Sequence, residues 1–428
     1  MTTQKIAPDW QDEVREVFYG TVPTEDNSSI TSSRESFLNF QNMVLRSVDN
    51  GSRIDNANTG GIVSTYTLLY TAATAYRGGI LAPNGDIHFV PYSANRGQKV
   101  SANGTVSTYS LPYTASGAYV GAVLAPNGDI HFVPYSANRG QKVSANGTVS
   151  TYTLLYTAAG AYNGAVLAPN GDIHFVPYNA NRGQKVSASG IVSTYSLTYT
   201  VAAAYAGGIL APDGDIHFIP YSANRGQKVD PGGTTTSTYS LAYTTSTAYF
   251  GGVLDRNGDI HFVPYRAIVG QKITPSEVVS TYSIVATATE AQIGGVLAPN
   301  GDIYFVPFGL AVSGIGQKVS ANGVVSTYNL VATGNYAYAG GVLAPTGEIY
   351  FIPFSFTPAH AAKIKTDGTI VTFSIPYNAT QGYLGGVLAP NGDIHFVPHS
   401  ANRGQKISTS VATPFSPALC RSAYLNKL

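Results

Sequence analysis

Apolar residues along this chain come in short runs broken by polar turns. Ile87-His88-Phe89-Val90-Pro91 gives way to a polar loop, Ser93–Arg96, and then to a segment rich in Thr, Val, Tyr and Leu after Asn103-Gly104. Runs of this length, rich in β-branched and aromatic residues and bounded by Gly, Pro and Asn, predict strands. One unit is read as four strands: A over Tyr76–Ala82, B over Asp86–Tyr92, C over Gly97–Ser101 and D over Thr105–Tyr113. Asn84-Gly85 and Asn103-Gly104 are pairs that suit two-residue type I′ hairpins, where both central residues take positive φ. No part of the unit has a 3.6-residue period, which excludes a helical solenoid.

The unit repeats. Leu81–Tyr109 recurs unchanged as Leu124–Tyr152, and the leucine that opens the motif returns at Leu81, Leu124, Leu167, Leu210, Leu254, Leu297, Leu343 and Leu388. A period of about 40–50 residues with four strands is that of a propeller blade. A D-type segment, Gly61–Tyr70, precedes the first A strand, and the last unit, Tyr383–Ile407, stops after strand C. The offset predicts that the N-terminal strand completes the last blade. The expected fold is therefore all-β: an eight-bladed β-propeller of four-stranded antiparallel blades over residues 61–407. Ring closure removes open sheet edges.

The flanks break the pattern. Residues 1–60 are expected to form a short helical N-terminal arm. A first helix has Trp10, Val14, Val17 and Phe18 on one face; a second starts at Ser32 and carries Phe37, Phe40, Val44 and Val48. The arm either covers one face of the ring or docks on another subunit. Residues 408–428 form a C-terminal tail.

Composition narrows the function. Charged residues make up 11 % of the 428-residue chain and the net charge is +1, so no nucleic-acid partner is expected. There is no apolar run long enough to span a membrane, and no signal peptide is visible in the first residues. Cys420 is the one cysteine, so no intramolecular disulfide is available.

Candidate chemistry is sparse. His88, His131, His174, His217, His261 and His395 recur at one position of strand B, with Tyr304 and Tyr350 in two blades. Asp86 and His88 share a strand face and are expected within reach of each other. Equivalent histidines of adjacent blades lie too far apart to share a metal, so the histidines are read as a structural hydrogen-bonding ring packed between blades. Seven aspartates with Glu348, and eight lysines from Lys99 to Lys406, are expected to brace turns and strand ends within blades. No catalytic residue, cofactor site or metal site is assigned, and His360 and His399 stand as single departures. The asymmetry lies in the B–C and D–A loops, which emerge on one face. Blade five offers Arg266 and Ile268, blade six an insertion with Leu310, Val312 and Ile315, and blade seven Phe354 and Phe356. With Trp10, Phe18, Phe37 and Phe40 these are the candidate partner-binding residues.

The Ala-Pro-Asn-Gly-Asp-Ile-His-Phe-Val-Pro core resembles the Ala-Pro-Asn-Gly-x-Ile-x-Phe-x-Pro repeats of bacterial and tailed-phage β-propeller proteins, over residues 61–407. The resemblance implies a non-enzymatic structural or interaction protein, a phage virion component in a tail, fibre, adaptor or head-decoration position. It would be made in the host cytoplasm and located in the virion. Its partners would be other virion proteins or copies of itself through the arm, with host-surface glycan as a further ligand. The alternative is a carbohydrate-binding, lectin-like propeller, and a glycan-active enzyme ranks below both.

Overall fold

A computed structural model describes residues 61–285, 290–310, 314–330, 334–355 and 360–409. They form eight four-stranded antiparallel sheets. Blade one comprises strands Tyr76–Leu81 (A), Ile87–Pro91 (B), Arg96–Val100 (C) and Val106–Ser110 (D), paired in that order. Blades two to seven begin at Tyr119, Tyr162, Tyr205, Tyr249, Gln292 and Tyr338. In blade eight, Tyr383–Leu388, Asp393–Pro398 and Arg403–Ser408 are completed by Ile62–Thr67, with Ile62 opposite Ser408 and Thr67 opposite Arg403. The A strands of neighbouring blades pack side by side, and blade one touches both blade two and blade eight, so the ring is closed. Residues 1–60, expected to form the helical arm, and almost all of the expected tail lie outside the described residues.

Strand B explains why blades pack. All five of its residues in blade one are buried. Its two faces meet different neighbours: Ile87 and Phe89 pack on Val387 and Val397 of blade eight, whereas Val90 packs on Ile130 and Phe132 of blade two. A strand buried on both faces needs a continuous apolar run rather than alternation, and Ile-His-Phe-Val-Pro supplies one.

Three expectations are corrected. The A–B and C–D turns are not two-residue type I′ hairpins. Gly85 has φ of 85° while Asn84 has no positive φ. The Gly85 amide donates to the Ala82 carbonyl and the Ala82 amide to that of Asp86. This is a type I turn followed by a left-handed glycine. Pro83 fixes negative φ at the first turn position, and the Asn84 side chain accepts from the Asp86 amide. The expected Asp86–His88 contact also gives way: Asp86 takes Lys99 at 2.6 Å and the Ala102 amide at 3.3 Å. The histidines, thirdly, each bond a tyrosine of their own blade, and only His174 is seen among the described residues to reach the next blade as well, its Nε2 lying 3.0 Å from the Pro231 carbonyl of blade four. His88 Nδ1 lies 3.1 Å from the Tyr109 hydroxyl on strand D, reaching over Gly97 of strand C.

The bracing role of the acid and lysine series holds in every blade. Lys99, Lys142, Lys185, Lys228, Lys272, Lys318, Lys363 and Lys406 each meet the carboxylate of their own blade.

Candidate functional site

Each strand B ends in proline, and the residue after it turns toward the ring axis on the face of the B–C and D–A loops. These residues are Tyr92, Tyr135, Tyr178, Tyr221, Tyr265, Phe308, Phe354 and His399. Backbone bonds fix the position: the Tyr92 amide donates to the Ala75 carbonyl, and the Ala118 amide of the next blade donates to the Tyr92 carbonyl. The side chains form a collar. Ring centroids are 6.3 Å apart from Tyr92 to Tyr135, 6.1 Å to Tyr178, 5.8 Å to Tyr221 and 6.0 Å to Tyr265. The circle continues from Phe308 to Phe354 at 5.6 Å, then to His399 at 6.3 Å and back to Tyr92 at 6.4 Å. Ile293 fills the step between Tyr265 and Phe308.

The second residue of each A strand interleaves with the collar. Phe250 sits between Tyr221 and Tyr265, with centroids at 5.9 and 5.8 Å. The equivalent residues elsewhere are Arg77, Val120, Asn163, Ala206, Ile293, Ala339 and Leu384. The mouth is therefore two-sided. Phe250, Ile293, Phe308, Ala339, Phe354 and Leu384 make an apolar arc; His399, Arg77 and the tyrosines of blades one to four make a polar one.

Three groups give the mouth its chemistry. His399 is buried, and its Nδ1 lies 3.1 Å from the Tyr76 carbonyl. A carbonyl only accepts, so Nδ1 carries the proton and Nε2 the free lone pair. Nε2 has no partner among the described residues and keeps contact with solvent. Burial lowers the pKa of His399, the bond to Tyr76 opposes this, and the Arg77 charge lowers it further, so the ring is neutral at neutral pH. Arg77 lies over the Tyr92 ring at 5.7 Å and meets no carboxylate among the described residues. Burial raises the pKa of Tyr178 to about 12, with Tyr221 and Tyr135 adding to it.

Glu290 is the third group. It stands at the end of a D–A loop with φ of 61°, at a position where blades two and three use Gly117 and Gly160. Arg266 Nη2 donates to it at 2.7 Å. Burial works against the Glu290 carboxylate, but hydrogen bonds from Arg266, Tyr336 and the collar residue Tyr265, with the Arg266 charge, hold it below the usual range.

The residues expected to bind partners are dispersed. Arg266 is committed to Glu290, Ile268 is exposed on the rim, and Phe354 is buried in the collar rather than displayed. Leu310 belongs to a short strand whose Gly309 and Leu310 pair with Asn335 and Gly334, and Ile315 begins strand C of blade six. Val312, Phe356, Trp10, Phe18, Phe37 and Phe40 lie outside the described residues. His88, His131, His174, His217 and His395 are held neutral mainly by burial, with pKa values lowered to about 4. Among the described residues, Asp255, Asp259 and His261 bring three possible ligand atoms within 4.8 Å of one another. Their carboxylates are already engaged, Asp255 by the Asn257 and Asp259 amides and Asp259 by Lys272.

The sequence signal for the collar is the residue after Val-Pro or Ile-Pro. His399 is noticed there as a departure, but its partner is a backbone carbonyl of blade one, 323 positions away.

The profile of the Virginiamycin B lyase family matches residues 28–307, well over half of the chain. No curated relative matches. A solved streptogramin B lyase shares 17 % identity, covering 81 % of this chain and 96 % of that one with a TM-score of 0.55. A catalytically inactive histidine-to-alanine variant of virginiamycin B lyase from Staphylococcus aureus, solved with quinupristin, shares 16 % identity, covering 81 % and 99 % with a TM-score of 0.54. At these identities the likeness to solved structures speaks for the fold. The family match overturns the expectation of a non-enzymatic protein, because the family is named for a lyase. The virion expectation finds no support among these relatives.

Proposed function

Since this chain belongs to the virginiamycin B lyase family, we propose that it is a lyase-type enzyme whose reaction runs at the axial mouth, with His399 as the base. The observation that carries the placement is the imidazole itself: the one histidine in a collar of tyrosines and phenylalanines, neutral, with Nδ1 tied to a carbonyl and Nε2 unpaired among the described residues. An elimination asks for such a group. Nε2 takes a proton from a carbon beside a carbonyl, and the C–H electron pair becomes the new double bond. The bond to the leaving group on the next carbon breaks, and that group departs with its electrons and is then protonated. Tyr92, the neighbour of His399 in the collar, has a phenolic proton to give it. In the S. aureus relative, the catalytically inactive form is a histidine-to-alanine variant, which is consistent with a histidine at the centre of the chemistry.

Virginiamycin B and quinupristin are the first compounds to test, with chromatography and mass spectrometry as the readout. The expected outcome is no added mass, one isomer of the substrate with a new retention time where the broken bond lies in a ring and two fragments summing to the substrate otherwise, because elimination adds no water. His399→Ala is expected to lower the rate by about 10²–10⁴-fold with the melting transition retained. Products heavier by one water, or full turnover by the variant, would sink the assignment. The depressed pKa sets a second expectation. The base is active when neutral, so the rate holds as pH falls to about 6.5, the ordinary histidine value, and declines only below it.

A further inference from the structure

The polar arc of the mouth has an excess of donors and one unbalanced charge. Arg77 is half-buried and, among the described residues, has no carboxylate partner. Its side chain lies over Tyr92, and its charge is felt at His399, Tyr178 and Tyr221, so it addresses the mouth rather than the outer rim. Among the described residues, the carboxylate of the loop face, Glu290, is neutralised by Arg266. Asn163, at the equivalent position of blade three, is only 7 % exposed and has no hydrogen bond among the described residues, yet its polar atoms keep contact with solvent. Across the axis, the arc from Phe250 to Leu384 is apolar except for the Tyr265 hydroxyl, which is engaged with Glu290. Removing a guanidinium from bulk water without a counter-ion is unfavourable, and its planar fork matches an oxyanion head group.

We propose that the mouth binds an organic acid, its anionic head at Arg77 and Asn163 and its apolar or aromatic body against Phe250, Phe308 and Phe354. The inference rests on the mouth being the ligand site, and it adds the chemical class of the ligand.

The test needs no turnover. Full-length protein is titrated with two fluorescent dyes of one shape, the anionic 8-anilinonaphthalene-1-sulfonate and the neutral N-phenyl-1-naphthylamine. The sulfonate is expected to bind about tenfold tighter, the factor of a charge-assisted hydrogen bond. Arg77→Gln is expected to erase that preference while leaving the neutral dye within about twofold, and Arg77→Lys to restore part of it. An unchanged melting transition in both variants excludes misfolding as the cause. Equal affinity for the two dyes, no sulfonate binding, or an unaltered preference in Arg77→Gln overturns the proposal. Full turnover by His399→Ala would sink the lyase assignment and leave the dye result standing, so the two readings fail separately.

Discussion

The His88–Tyr109 pair recurs in six of the eight blades. The tyrosine ring lies flat over strand C, where a Cβ on Gly97 would stand 2.0 Å from it. Gly97→Ala is therefore expected to displace Tyr109, break its bond to His88 and cost about 1–3 kcal/mol, read as a lower urea midpoint at unchanged slope. Two blades vary the solution coherently. Blade seven has Ala361 on strand C, Phe373 in place of the tyrosine, and Tyr350, whose hydroxyl donates to Glu348 at 2.9 Å. In blade six Tyr304 replaces the histidine, and Tyr328 donates to the Phe305 carbonyl at 2.8 Å. The histidines also set a pH dependence. Five have pKa values near 4, while the unfolded chain takes up protons near 6.5. Between those values the unfolded state binds more protons, so stability declines as pH falls through this window and levels off below it. A urea midpoint at about pH 5 no lower than at about pH 7 would contradict this.

Hairpins and ion pairs hold each blade at the face opposite the mouth. The A–B turn aims Asp129 at the next hairpin, where it accepts from Lys142 and the Ala145 amide. Burial alone would raise the Asp129 carboxyl, but the Lys142 hydrogen bond and charge bring it below its ordinary value. The aspartate side chain is 9 % exposed and the lysine 29 %, so the pair falls between the surface and buried limits. Lys142→Met is expected to destabilise the protein by about 1–3 kcal/mol, less in high salt. Equal unfolding midpoints for the two proteins would show that the turn holds the blade without the bridge.

Ring closure couples residues at opposite ends of the chain. Blade eight borrows its outer strand from Ile62–Thr67, and the Tyr66 hydroxyl lies 3.2 Å from His395 Nδ1, repeating the blade-one pair across 329 positions. Deleting residues 1–72 removes that strand and leaves His395 without its partner. The expected result is loss of the cooperative melting transition; an undiminished transition would show that the ring does not depend on the borrowed strand. The same closure brings His399 of blade eight against the Tyr76 carbonyl and beside Arg77, so this deletion is expected to abolish activity with the fold.

Much of the architecture was legible in the order of residues. A 43-residue repeat, four apolar runs per unit and a one-strand offset at the ends lead to eight blades and their closure, because blade packing depends on which residues are apolar and how far apart they recur. The acid–lysine braces were legible for the same reason, since both partners lie within one unit. Turn type was not, because Pro83 outweighs the Asn84-Gly85 preference and only φ distinguishes the two hairpins. The collar was not legible either. Tyr92, Tyr135, Tyr178 and Tyr221 look like ordinary core positions of near-identical repeats, and His399 and Arg77 are 322 positions apart. A pattern within one blade carries no information about which side chains converge on the axis. Closing the ring puts a neutral imidazole and a guanidinium with no carboxylate partner among the described residues into one aromatic mouth, and that convergence exists only in the folded chain.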